Sequence, residues 1–437
     1  MRRVSRPNFP GRPEPTCQVI ESIFIAMWRF TCGFHRLSFL LFLAASTANA
    51  ADWPNWRGPR GDGISRETNL AKSWPTGGPK VLWKMDLTGG YSSVVVAGNR
   101  LFTQTKDKNQ DLVLGVDALT GGKLWEYRYD CDYAKYPSLD KRFLTGPKAT
   151  PTVDGDRVYA TGNTGLLQCL DVRTGKLIWE QDLLKLGDRS CPEYGYCNSP
   201  FIVGDSLFVH PGGSKGNSIA ALNKKDGSTL WLSLKDRIGW ATPIHIEVEG
   251  APQVVYFTGQ SCVGVGPKNG ELLWRFDWKT MFDINAATPI YSEGFLFLSS
   301  NYGSGGALLR LKPKGDPEVV WKSLAMQNHF STSVLFQGHL YGFSSDRLRC
   351  VVFKTGAVQW DKSGLGKGSL LIADGHLIAL GEDGTLVLAE ASPSGYAEKA
   401  RAKVLDGTCW SVPVLANGKL YVRNEKQLLA LDLGNSK

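Results

Sequence analysis

Eight residues of this 437-residue chain stand at equivalent places, each just ahead of a recurring strand start: Tyr91, Lys148, Asn198, Trp240, Asn285, His329, Lys367 and Trp410. Together they offer aromatic faces, two ammonium groups, two amides and one imidazole. Gathered around one opening, such groups suit a planar or anionic ligand, held by stacking on an indole and by charge pairing with a lysine. The plainer expectation is that the aromatics only plug a channel. No carboxylate is in the set. The acids nearest in sequence lie on two long connections: Asp130 and Asp132 within 126–147, beside Lys135, Lys141 and Arg142, and Asp188 and Glu193 within 180–197. The His residues at 210, 245, 329, 339 and 376 lack the spacing of metal ligands, so no metal site is expected. The run 211–216, Pro-Gly-Gly-Ser-Lys-Gly, resembles a phosphate cradle but lacks the Walker spacing and a following helix. There is no Gly-x-Ser-x-Gly elbow, so no catalytic residue is assigned.

The elements that would position these residues repeat along the chain. A Thr, Asp or Asn, then Gly, then three residues, then Trp occurs at 120–125, 174–179, 226–231, 269–274 and 355–360. Trp is only 14 of 437 residues, so five copies at one spacing are not chance. Gly suits the positive-φ place in a tight hairpin, and the residue before it can bond back to turn amides, an arrangement Asp117 and Asp171 would brace. Trp83, Trp125, Trp179, Trp231, Trp274, Trp321 and Trp360 are expected to dock each outer strand on a neighbour, with a degenerate eighth copy near Val404. Ahead of each copy stands a small-Thr/Ser-Pro start, such as Ala149-Thr150-Pro151, followed by alternating apolar residues around a turn glycine. The turn glycines number eight: 98, 155, 204, 250, 294, 338, 375 and 418. Four short strands per unit at this period predict a β-propeller. The fold class expected is all-β: eight four-stranded antiparallel blades. The chain ends on a third strand at 428–433 and begins with an unmatched Trp strand at 80–83, so Trp83 beside Leu429 would complete the last blade and close the ring.

This pattern resembles the PQQ-type repeat (quinoprotein alcohol dehydrogenase-like) propeller superfamily over residues 80–433, most closely at 115–125 and 169–179. The leader Trp53-Pro54-Asn55-Trp56-Arg57-Gly58-Pro59 is similar to the mature start of secreted polyvinyl-alcohol-dehydrogenase-like members. In the alcohol-oxidising branch the resemblance implies bound PQQ, a Ca²⁺ on carboxylate and Asn side chains, and an adjacent-cysteine ring. This chain has no Cys-Cys pair, and only Asn198 and Asn285 among its mouth residues match the ligand types. Another branch is the propeller lipoprotein of the outer-membrane β-barrel assembly machinery, from which this chain departs in lacking a lipobox. The reading is a non-catalytic binding or scaffold propeller taking a protein or small-molecule ligand at the mouth. The alternative is a PQQ-dependent oxidoreductase acting on alcohols or sugars.

Residues 1–50 read as a targeting segment: an apolar run at 37–45 after Arg29 and Arg36, then Ala48-Asn49-Ala50, so cleavage is expected before Ala51. Met27 offers a more compact start. A leader at 51–79, the propeller and a tail at 434–437 follow. The expectation is an exported protein, periplasmic or extracellular and not membrane-embedded once processed. Net charge is +9 with no basic stripe, which argues against nucleic acid. Of the seven cysteines after residue 50, Cys169, Cys262 and Cys350 read as buried apolar residues. Cys191 and Cys197 share one loop and are the disulfide candidate.

Overall fold

The computed structural model describes residues 51–136 and 146–434, which fall in one compact unit. The expected targeting segment, Lys141 and Arg142 and the last three residues lie outside these. Eight four-stranded antiparallel blades follow one another around a ring, the seventh carrying the short strand Ile64–Ser65 as a fifth, parallel member. Blades one to seven span 95–130, 152–182, 201–233, 244–277, 290–323, 334–362 and 369–403. Blade eight joins Val414–Ala416, Lys419–Arg423 and Gln427–Asp432 to Val81–Asp86 from the other end of the chain. The closure expected from the unmatched ends is therefore present. Its register is one residue away from the expectation: Trp83 faces Ala430, and Leu429 faces Lys84, because a bulge follows Val81.

That bulge recurs. In seven blades a Trp faces the third strand directly beside a bulge, opposite Gly115, Cys169, Ala221, Gly264, Leu308, Cys350 and Ala430. In blade seven the same register position is Ala400, opposite Leu388; Val404 already lies past the strand Glu398–Lys403. The degenerate copy is thus Ala400. Six indoles dock forward: Trp83, Trp125, Trp179, Trp231, Trp321 and Trp360 donate Nε1–H to the carbonyls of Ala118, Val172, Lys224, Pro267, Phe353 and Ser392 in the next blade. Trp274 departs from this. Its Nε1–H donates at 2.7 Å to Gln253 Oε1 of its own blade. The following blade has no Thr-Gly turn to receive it, and the indole is buried instead among Leu296, Ala307 and Leu309 of that blade. The turn bracing is as expected: Asp117 accepts from the amide and hydroxyl of Thr120, and Asp171 from those of Thr174.

The core lies between blades. One layer joins Phe102, Val113 and Trp125 of blade one to Val153, Val158 and Leu170 of blade two. Cys169, Cys262 and Cys350 are fully buried in such layers. Cys191 and Cys197 are thiols, not a disulfide. Cys191 packs into the blade one–two layer, whereas Cys197 Sγ sits 3.7 Å from Tyr194 O and 3.9 Å from Gly195 O. The two side chains take different partners despite sharing a loop. Among the described residues no helix is long and apolar enough to cross a membrane.

Candidate functional site

The innermost strands of the blades line the channel, and the segments entering them frame one mouth. There a cavity of about 230 Å³ is walled by Trp56, Tyr91, Lys148, Tyr194, Trp240, Tyr302, His329, Phe330 and Trp410, with smaller residues between. Five of the eight residues expected at the mouth lie on this wall: Tyr91, Lys148, Trp240, His329 and Trp410. Asn198, Asn285 and Lys367 do not. Both amides are buried with their Nδ2 groups committed to backbone: Asn198 Nδ2 donates to Gly239 O and Ala241 O, and Asn285 Nδ2 to Thr258 O. Asn285 Oδ1 accepts from Thr280 and Ser300, while Asn198 Oδ1 is buried without a hydrogen-bond partner among the described residues. Asn198 ties the entry of blade three to that of blade four, Asn285 ties the entry of blade five back to blade four, and neither lines the cavity. Lys367 donates its amide to Glu382 and acts on the site through its charge.

The wall is mostly aromatic faces. Ring centroids step from Tyr91 to Trp410 (5.1 Å), Phe330 (5.2 Å), His329 (5.3 Å), Tyr302 (5.2 Å) and Phe282 (6.0 Å). Tyr194 meets Trp240 edge-on at 5.3 Å. This is the tilted and edge-to-face geometry that ring quadrupoles favour. Polar edges are turned into the protein. Trp240 Nε1–H donates to Gly195 O at 3.0 Å, Trp410 Nε1–H to Glu382 Oε1 at 2.9 Å, and Tyr91 O–H to Glu425. Burial, and then the Glu425 bond, push the Tyr91 phenol up. Burial and the nearby Lys367 charge push His329 down to about 4, so at neutral pH it is an uncharged ring 2.8 Å from Tyr302 Oη. Lys148 Nζ donates to Asn163 Oδ1 at 3.0 Å and Tyr194 O at 3.2 Å, and burial lowers its pKa. The cavity is an aromatic cup with Lys148 in its wall.

The loop acids do not join it. Asp130 accepts from Gln110, Asp132 caps the short helix Tyr133–Lys135, and Asp188 pairs with Lys215. None of these, nor Glu193, is on the wall. Sequence reasoning missed Trp56, Tyr194, Tyr302 and Phe330. Phe330 follows the assigned His329 directly, and Tyr194 lies in the cysteine loop, so both had a neighbour to point to them. Trp56 had none, because it comes from the leader.

A family model described as outer membrane protein assembly factor BamB matches residues 138–362. Outer membrane protein assembly factor BamB of Yersinia pestis is 20% identical over 286 residues, covering 62% of this chain and 70% of that protein. The quinone-dependent alcohol dehydrogenase subunit of Gluconobacter oxydans is 25% identical over 198 residues, 41% of this chain but only 25% of that protein. Among solved structures, BamB from Moraxella catarrhalis superposes with a TM-score of 0.59 at 15% identity, over 81% of this chain and 99% of that one. A europium-containing methanol dehydrogenase does so at 0.65 and 10% identity, over 87% and 89%. At those identities the superpositions speak to the fold alone. The family match spans more than half of the chain and agrees with eight blades of PQQ-type register, and on that ground the chain belongs to the PQQ-like repeat propeller family whose model is described as outer membrane protein assembly factor BamB.

Proposed function

We propose that this chain is a non-catalytic binding propeller of the extracytoplasmic space, whose mouth holds a ring-bearing apolar group of a small molecule or of a protein. One observation carries this reading: seven Trp, Tyr and Phe side chains converge on a single cavity, with the N–H and O–H groups of Tyr91, Trp240 and Trp410 already bonded inward and their faces left to the cavity. At about 230 Å³ the cup is smaller than the roughly 300–1,000 Å³ of pockets for drug-sized ligands, which favours one ring or side chain. The outer-membrane assembly relatives support an extracytoplasmic place and a protein partner.

The dehydrogenase relatives favour a second reading, a quinone enzyme. The donor set fits it poorly. No carboxylate lines the cup, the carboxylates touching its wall are held by Tyr91 and Trp410, and among the described residues no group of three His, Cys, Asp or Glu is placed for a metal.

Calorimetric titration of the mature protein with indole, phenylalkanoates and aromatic peptides tests the binding reading. Trp410→Ala is the informative variant, because Trp240 is nearly buried and its truncation would report packing. Binding that weakens by about tenfold in Trp410→Ala, with an unchanged melting temperature, is the expected result. No heat from any ligand, together with a destabilised Trp410→Ala, would reduce the aromatics to a plug. A bound quinone band and alcohol-driven dye reduction with PQQ and Ca²⁺ would move the assignment to the second reading.

A further inference from the structure

Of the leader motif Trp53-Pro-Asn-Trp-Arg-Gly-Pro only Trp56 stands on the wall of the mouth, yet the whole motif runs inside the ring. Trp53 exchanges both backbone hydrogen bonds with Val96 on the inner strand of blade one. Pro54 O accepts from Val153 N on the inner strand of blade two. Two residues on, Trp56 Nε1–H donates at 2.9 Å to Thr288 Oγ1, at the entry of blade five. Arg57 Nη2 then reaches Ser333 O at blade six, and Ile64–Ser65 pairs in parallel with Ile372 and Ala373 on the inner strand of blade seven. Glu67 accepts from Gly418 N at blade eight.

Blades two and five are three places apart in an eight-bladed ring. A chain that bonds to one at residue 54 and to the other at residue 56 must cross the channel between them. The crossing is rigid: Arg57 is buried, with its guanidinium on Gly61 O, Asp62 O and Ser333 O, and Trp53 is 2% exposed. Ala51 and Asp52 meet the hairpin ends of blades eight and one at Asn417 and Gly98, so the leader's contacts reach to the ends of the inner strands. The cup occupies their starts. Trp56 belongs to both, since its indole also lines the cup.

We propose that residues 53–57 are a strap that makes the channel blind, and that the Trp56 indole is the floor that sets how long a ligand the mouth accepts. This rests on the mouth being a binding site. A cup with a fixed aromatic floor acts as a ruler: a ligand gains affinity as its apolar stem lengthens until it meets the indole, and loses it beyond. Each methylene admitted is worth about fourfold in affinity. Lys148 in the wall makes carboxylates the natural probe head.

The test is calorimetric affinity for benzoate, phenylacetate, 3-phenylpropionate, 4-phenylbutyrate and 5-phenylvalerate, measured on the mature protein and on Trp56→Ala. The optimum length is expected to move outward by one or two methylenes in Trp56→Ala, with the ratio of long to short affinities rising roughly tenfold. Trp56→Phe, which keeps a ring but loses the Thr288 bond, should shift it less. If Trp56→Ala melts during the measurement, Trp56→Leu carries the same comparison. An optimum unchanged in these variants while the parent binds overturns the floor and leaves the binding site standing. No binding by the parent at any length removes the site, and the floor with it.

Discussion

His210 shows what a single buried side chain does to this protein. It is 1% exposed, its ring meets Tyr256 edge-on at 5.9 Å, and its Nε2 lies 3.4 Å from Ser218 Oγ. Burial pushes its pKa down to about 3, against the pull of Asp236 and with the push of Arg189. A base with a depressed folded pKa is held neutral by the fold, so its contribution to stability is complete above about 6.5 and is lost as pH falls from there through about 3. His210→Phe removes that titration. The melting temperature of the parent should fall faster than that of His210→Phe between pH 6.5 and 4; parallel curves would show that His210 is not held neutral.

At the scale of the element, the Trp-to-turn contact is where blades are joined. Gly175 and Gly155 both have positive φ, +69° and +59°, so an added Cβ is strained at either place, by about 1–2 kcal/mol. They differ in what the Cβ would meet. At Gly155 there is nothing within 4 Å, whereas at Gly175 the docked Trp125 ring stands at 2.5 Å. Gly175→Ala should therefore cost about 1–3 kcal/mol more than Gly155→Ala, read from denaturant midpoints. Equal midpoints would mean that the indole docks loosely. The glycine is thus required twice, by the turn and by the neighbouring blade.

At the scale of the whole molecule the ring must close, and Arg423 is the inner fastening. It is 2% exposed and lies on the second strand of blade eight. Its guanidinium donates to Thr103 Oγ1 and Gln104 O of blade one, to Gly89 O and Gly90 O on the entry to that blade, and to Asn424 O. Burial lowers its pKa to about 9, so the charge is kept by oriented carbonyls without a bonded carboxylate. Arg347, exposed and paired with Asp361, looks equally well bonded but is screened by water. Arg423→Met strands several buried carbonyls at about 1–3 kcal/mol apiece, while Arg347→Met should leave the midpoint close to that of the parent. Equal denaturant midpoints for the two variants would contradict this view of closure.

The sequence by itself determined the repeat, the number of blades, the turn chemistry and the pairing of the two chain ends. These are local or periodic properties: an alternating strand, a positive-φ glycine or a Trp five residues after a Thr is decided within a dozen residues. It also placed Tyr91, Lys148, Trp240, His329 and Trp410 at the mouth, because a propeller brings equivalent positions of every repeat to one end. Only the tertiary structure decided which of those positions face the cavity. Asn198 and Asn285 are indistinguishable from ligand-binding amides until the backbone carbonyls they satisfy are known. The partners of Cys191 and Cys197, the inward turn of Trp274 and the path of the leader were settled the same way. Each depends on which surface lies opposite, and for Trp56 that surface is Thr288, 232 residues away along the chain. No pattern of local spacing carries a contact of that range, since its energy comes from packing within a ring that has already closed.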